Sequence, residues 1–351
     1  MNRYSPWLIL LCLVVPAVAK AAEPLIVTSW GGAYEASQKA AYIEPFEKQS
    51  STAIQLKEYN GGFEMLKGSG LPAFDVLDMT EPDMLVACAE GLLEPFSALS
   101  NSEAADFLDG SLRECGVVHL VFSTVLAYDD RAFPGEKLQT VSDFFNVERF
   151  PGKRALRRQP IALLEWALLA QGVPISQLYD LLSTERGMTL AFRKLDQIRD
   201  DIIWWTSGSE PPELLKTGKA VMASGFNGRF FDARVNDGAA ITIIWDGQLL
   251  DASVWAIAKG TPRRKQAEEF IRFATRPQNM ATLASHIPYG PTRKSAMRRI
   301  GLHVKSNTPM LHHMPTSTAN LRRAIRSDSV WYARTEALRQ RRFEAWLAKS
   351  D

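Results

Sequence analysis

Two kinds of side chain in this sequence could hold a small charged molecule: carboxylates accompanied by aromatic rings, and arginines at the starts of helices. An organic ammonium is met by carboxylates at its charge and by ring faces along its methylenes, with cation–π attraction added. Trp30 and Tyr34 stand where a predicted first strand turns into its helix. Trp30 has an alternative role as a cap on the core below that strand. Asp78 ends a third predicted strand, in Asp75-Val76-Leu77-Asp78-Met79. Alternation sends Asp75 and Asp78 to opposite faces, and Asp78, nearer the carboxyl end, is the cleft candidate. Its alternative is a turn aspartate before Glu81-Pro82. Glu165 lies in the apolar Leu163-Leu164-Glu165-Trp166-Ala167-Leu168, where a carboxylate is paired, cleft-facing or on the solvent stripe. Of the adjacent Trp204 and Trp205, which face opposite ways on a strand, Trp205 is assigned to the cleft.

Anion chemistry is available as well. Arg157-Arg158-Gln159-Pro160 leads into a predicted helix, and Arg229 follows Asn227-Gly228 at another helix start. Free N–H groups and the dipole at such a terminus already favour an anion. Arginine adds a two-pronged grip on carboxylate. The bland alternative for Arg157 and Arg158 is solvated surface.

Covalent chemistry finds little support. There is no Gly-x-Ser-x-Gly elbow and no Gly-x-x-x-x-Gly-Lys phosphate loop. The adjacent His312 and His313 lack the i, i+4 spacing of a helical zinc pair. A binding protein without a cofactor is expected, with a secreted hydrolase or a metal-binding protein as rival classes.

The elements that must position these residues follow an export signal. Arg3, the apolar run Trp7–Val18 and the small residues Ala19 and Ala21 read as a cleavable signal over 1–21. Its removal takes away Arg3 and Lys20, turning 41 basic and 39 acidic residues into 39 and 39. A net charge near zero argues against nucleic acid or anionic membrane as partner. The remaining Cys88 and Cys115, in an exported chain, read as one disulfide, with two separate thiols as the alternative. Short apolar strands then alternate with amphipathic helices, an α/β pattern. Strands are expected at Leu25–Ser29, Ala53–Tyr59, Phe74–Met79, Val117–Tyr128, Ile202–Trp205, Ala220–Ser224, Ile241–Trp245 and Ser253–Ala258. A helix is expected over Tyr34–Gln49, one over Ile161–Ala170, and an amphipathic one closes the chain at Ser329–Lys349.

Several stretches in order resemble the polyamine-type (spermidine/putrescine) branch of bacterial ABC-importer binding proteins. They are Thr28-Ser29-Trp30-Gly31-Gly32-Ala33-Tyr34, Phe74-Asp75-Val76-Leu77-Asp78, Gly91-Leu92-Leu93-Glu94-Pro95, Phe226-Asn227-Gly228-Arg229, Gly247-Gln248-Leu249-Leu250-Asp251 and Ile287-Pro288-Tyr289-Gly290-Pro291-Thr292. The subgroup with a paired-cysteine segment, Cys88 to Cys115, is the closest match. The resemblance implies a type II periplasmic-binding-protein fold: two α/β lobes joined by two crossover strands, with the ligand cleft between them. It places lobe one at 22–128, lobe two at 129–252, the return to lobe one at 253–300, and a C-terminal segment near the hinge at 301–351. It further implies a periplasmic monomer that works with an ABC permease and ATPase in the inner membrane; docking on a sensor receptor is a third output. In the family's pattern Trp30, Tyr34 and Phe226 are cleft aromatics, Tyr332 a polar cleft position, and Asp251 the aspartate that pairs an ammonium. The main expectation is therefore a polyamine. The departure is Arg157-Arg158-Gln159, where spermidine binders carry acids. It points to a zwitterionic amino acid or opine-like conjugate as the alternative, its amine on Asp251 and its carboxylate on Arg229 or Arg158.

Overall fold

Gly116–Asp129 is apolar or β-branched along nearly its whole length, and it runs as one strand of 14 residues. Its partner, Ile241–Ile257, has 17 residues, and these two long strands are the spine of the molecule. The computed structural model describes residues 23–59, 61–67 and 73–350, so the signal assigned to 1–21 lies outside the described residues. In chain order the strands are β1 (Leu25–Ser29), β2 (Ile54–Glu58), β3 (Val76–Thr80), β4 (Leu112–Arg113), β5 (Gly116–Asp129) and β6 (Arg154–Arg157). They continue with β7 (Ile202–Trp205), β8 (Met222–Phe226), β9 (Ile241–Ile257), β10 (Gly290–Pro291) and β11 (Ile325–Arg326). The principal sheet order is β2-β1-β3-β9-β5-β8-β6-β7.

Each end of this sheet carries its own core. At one end β1 pairs in parallel with β2 and β3, and β3 runs antiparallel to the last part of β9. Leu25, Val27, Phe46, Val76, Trp255 and Phe270 pack there. At the other end β8 lies antiparallel to the last part of β5, and β6 joins β8 and β7 in parallel. Its core includes Tyr128, Phe144, Leu156, Trp166, Leu195 and Phe343. Among the described strands, β5 and β9 contribute to both cores. The mixed α/β fold is the one the alternating pattern predicts.

The differences from the sequence reading have local causes. Ile241–Trp245 and Ser253–Ala258 read as separate strands because Asp246-Gly247-Gln248 looks like a turn. Gly247 does take φ 66°, but as a register irregularity within a continuous β9. An added Cβ there would stand 2.5 Å from Val141, so only glycine fits. Gln248, buried by this continuity, donates to the carbonyls of Pro315 and Asn320. The Tyr34–Gln49 helix forms in three joined pieces, Gly32–Gln38, a wider π turn at Lys39–Ile43, and Glu44–Ser50. β6 was missed because Arg154–Arg157 is half basic. Arg154 is nevertheless fully buried, donating to the carbonyls of Phe144, Gly152 and Phe150.

The C-terminal helix, Ser329–Leu347, gives Phe343 and Trp346 to the second core. Ser329 at its start donates 2.7 Å to Glu81, on the helix that follows β3. That helix, Glu81–Ala89, also carries Cys88, bonded to Cys115 across 27 positions of chain. Closing a loop of this length removes about 3.5 kcal/mol of unfolded-chain freedom in the entropy model. Denaturant titration of the Cys88→Ser, Cys115→Ser double variant should show a loss of about that size; an unchanged midpoint would contradict it.

Candidate ligand-binding cleft

The cleft opens where β5 and β9 cross between the two cores. Phe122 on β5 lies directly opposite Asp251 on β9, and in an antiparallel pair such neighbours share a face. The cavity there is about 310 Å³, bounded by Trp30, Tyr34, Phe122, Phe226, Tyr289 and Tyr332 as its aromatic lining. Its charged lining is Asp83, Arg157, Arg229, Asp251, Glu336 and Arg339.

The rings form a wall. Arg157's guanidinium lies 5.6 Å from the Phe226 ring and 5.7 Å from that of Trp205. From Phe226 the wall continues to Phe122 at 5.7 Å, to Tyr289 at 6.0 Å and to Tyr34 at 5.5 Å. The polar heads of three lining aromatics are tied behind it. Tyr34 Oη donates 2.6 Å to Asp78 Oδ2, and Trp30 Nε1 donates 2.9 Å to the Asp78 carbonyl. Tyr332 Oη donates to Glu165 Oε1.

Two carboxylates chosen from sequence are thereby placed outside the cleft. Asp78 is fully buried and accepts from Tyr34, from Gln38 Nε2 at 2.7 Å and from Ser253 Oγ, with His119 Nε2 at 3.4 Å. Its role is to anchor the Trp30 and Tyr34 rings. Glu165 is likewise fully buried; burial pushes its carboxyl up, against the opposing hydrogen bond from Tyr332. Trp205 is also corrected. It is 1% exposed, donates to Ser224 Oγ at 3.3 Å and packs behind Phe226. Arg158 points outward toward Glu344, 3.6 Å away, because alternation along the chain sends its neighbour Arg157 inward. Trp30, Tyr34, Phe226, Arg229, Asp251 and Tyr332 all line the cavity.

Arg229 joins the two ends of the sheet. From the helix Asn227–Asn236 its Nη2 donates to the carbonyls of Trp30 at 2.6 Å and Gly31 at 3.3 Å. A Cβ on Gly32, whose φ is 58°, would lie 2.5 Å from Arg229 Nη1. Gly32 thus makes room for this arginine.

The remaining charges are held without full compensation. Burial pushes the Asp251 carboxyl up to about 7; the Ala252 N–H opposes this, and Glu81 and Asp83 add to it. Burial also raises Asp83, although the Gly62 N–H donates to it at 3.1 Å. Arg157 is lowered by burial to about 10, against the pull of Asp83 and Asp251. Its Nε is shut off from solvent and has no hydrogen-bond partner among the described residues. Asp83, Phe122, Tyr289, Glu336 and Arg339 were not singled out from sequence. For Asp83 a signal existed: Thr80 caps a helix whose first turn is Glu81-Pro82-Asp83. Phe122 and Tyr289 carry no such mark, since both read as ordinary apolar positions.

The family model for bacterial extracellular solute-binding proteins matches residues 41–308. A γ-aminobutyric acid-binding protein of Pseudomonas aeruginosa is 39% identical over 342 residues, 96% of this chain and 95% of that one. Among solved structures, an ABC transporter substrate-binding protein from Bradyrhizobium japonicum has 30% identity and a TM-score of 0.81, covering 93% of this chain and 99% of its own. The protein MotA from A. tumefaciens B6, in complex with glucopine, has 25% identity and a TM-score of 0.83, covering 92% and 99%. With its crossing strands, cleft and chain-long match, this protein belongs to the bacterial extracellular solute-binding protein family.

Proposed function

We propose that this chain is the exported, periplasmic substrate-binding component of an ABC importer, and that its ligand is a zwitterionic ω-amino acid of the γ-aminobutyrate type. The observation that carries the reading is Arg157, whose guanidinium lines the cleft and makes no ion pair with a protein carboxylate among the described residues. A desolvated cation without a partner is costly, and a ligand carboxylate would relieve it. A polyamine has no group for it. The ammonium would lie at Asp251 beside Phe122, a carboxylate with an aromatic face at its side. The similar γ-aminobutyric acid-binding protein and the glucopine complex favour this alternative over the polyamine of the first expectation.

On this reading 22–128 and 253–300 form one lobe and 129–252 the other, with 301–351 near the hinge, and closure traps the solute before a membrane permease and ATPase receive it. Arg229, already bridging the two ends, would hold the closed form. The protein would act as a monomer.

Calorimetric titration should detect γ-aminobutyrate and show much weaker putrescine and spermidine binding. Arg157→Ala should weaken γ-aminobutyrate about ten- to hundredfold, the scale of a hydrogen bond to a charged group. Tight putrescine binding that is indifferent to Arg157→Ala would sink the zwitterion.

The Asp251 carboxyl gives a pH signature. A bound ammonium favours its ionised form, so binding below about pH 7 releases a proton, and affinity should fall up to tenfold per unit there. Stability moves the other way. The folded carboxyl titrates above its unfolded value near 3.9, so its contribution is present in acid and lost as pH rises toward about 7. Asp251→Asn should therefore raise the ligand-free melting midpoint by several degrees above about pH 7 while weakening the amine. A lower midpoint would contradict this.

A further inference from the structure

Ser253 lines the ligand cavity with a hydroxyl whose proton is already spent. Its Oγ donates to Asp78 Oδ1, with the Met79 carbonyl a second acceptor at 3.4 Å, and both of those residues are fully buried. A hydroxyl has one proton and two lone pairs. No protein group donates to this oxygen among the described residues, so what it can offer a ligand is a lone pair. The Thr124 hydroxyl, also on the cavity, has no protein partner among the described residues and can present either a proton or a lone pair. Ser253 has no such choice.

Asp78 imposes this. Its Oδ2 takes the Tyr34 hydroxyl and Gln38 Nε2, which leaves Oδ1 for Ser253, with His119 Nε2 at 3.4 Å. The place of Ser253 along the strands then matters. Phe226 pairs with Thr124, Phe122 with Asp251, and Leu120 with Ser253. The Arg157 guanidinium lies over Phe226, at one end of this series, and Ser253 stands at the other. Asp251 and Ser253, two residues apart on β9, share a face. At ~3.3 Å of rise per residue they stand about 7 Å apart, a gap that one nitrogen closes with two hydrogen bonds of about 3 Å.

We infer that Ser253 is a second recognition residue for the ligand's ammonium, which sits between its Oγ and Asp251. Asp78 is the positioning residue that keeps this oxygen an acceptor. The inference rests on the zwitterion reading, because a carboxylate on Arg157 is what directs the nitrogen toward Ser253.

The test is calorimetry on the full chain with γ-aminobutyrate and with butyrate, which keeps the carboxylate and lacks the amine. Ser253→Ala should weaken γ-aminobutyrate about tenfold and leave butyrate within about twofold. Ser253→Thr, which keeps a hydroxyl, should recover most of the loss. An unchanged γ-aminobutyrate affinity in Ser253→Ala, or equal losses for the two compounds, overturns this inference. The zwitterion reading still stands in that case if Arg157→Ala weakens γ-aminobutyrate. A crystal structure of the wild-type complex decides the matter even if the variants fold poorly. The nitrogen should lie within about 3.2 Å of Ser253 Oγ, and a separation beyond hydrogen-bonding reach overturns the inference. Failure of the wild type to bind γ-aminobutyrate, with putrescine bound, overturns both.

Discussion

The antiparallel pairing of β5 and β9 is the constraint on which the rest depends. These strands continue from one core into the other, and the register between Leu120 and Thr124 decides which residues face the space between them. Phe122 and Asp251 meet there because Val121 pairs with Ala252 on one side and Ser123 with Leu250 on the other. A slip of β9 by one residue would turn Asp251 away from the cleft. At Gly247 the register shifts, from Thr124 opposite Leu249 to Leu126 opposite Ile244, without ending β9.

Behind the cleft wall, Asp78 and Glu165 are tied to the hydroxyls of lining rings; in front of it, Asp251 and Arg157 are not. Asp78 gathers donors from Tyr34, Gln38 and Ser253, and Glu165 holds Tyr332, which locks the rings in place. Asp251 and Arg157 lack such partners, and burial moves both toward their neutral forms. A site kept in this condition is destabilising to the empty protein and favourable to a ligand of matching charge. The same contrast shows how a chain with a net charge of only +2 would bind a charged solute: the charges that matter are few, opposite in sign and poorly solvated.

Much of this was legible in the sequence. The α/β alternation, the strands at Leu25–Ser29 and Ile202–Trp205, the paired cysteines, and the placement of Trp30, Tyr34, Phe226, Arg229, Asp251 and Tyr332 along one cavity follow from pattern and resemblance. Asp78, Glu165 and Trp205 did not read correctly. Their roles depend on partners 44, 167 and 19 positions away, which no local pattern reveals. Arg157 and Arg158 were indistinguishable until β6 fixed which one faces inward. Phe122 was hidden because an apolar residue in an apolar strand looks like core whichever side it faces.

The central claim is that a carboxylate on Arg157 and an ammonium on Asp251 span the cleft. A crystal structure of the γ-aminobutyrate complex tests it directly. The ligand carboxylate should lie within hydrogen-bonding distance of the Arg157 guanidinium and the nitrogen beside Asp251 and Phe122. A ligand bound in the opposite direction, or one leaving Arg157 without a partner, would contradict it.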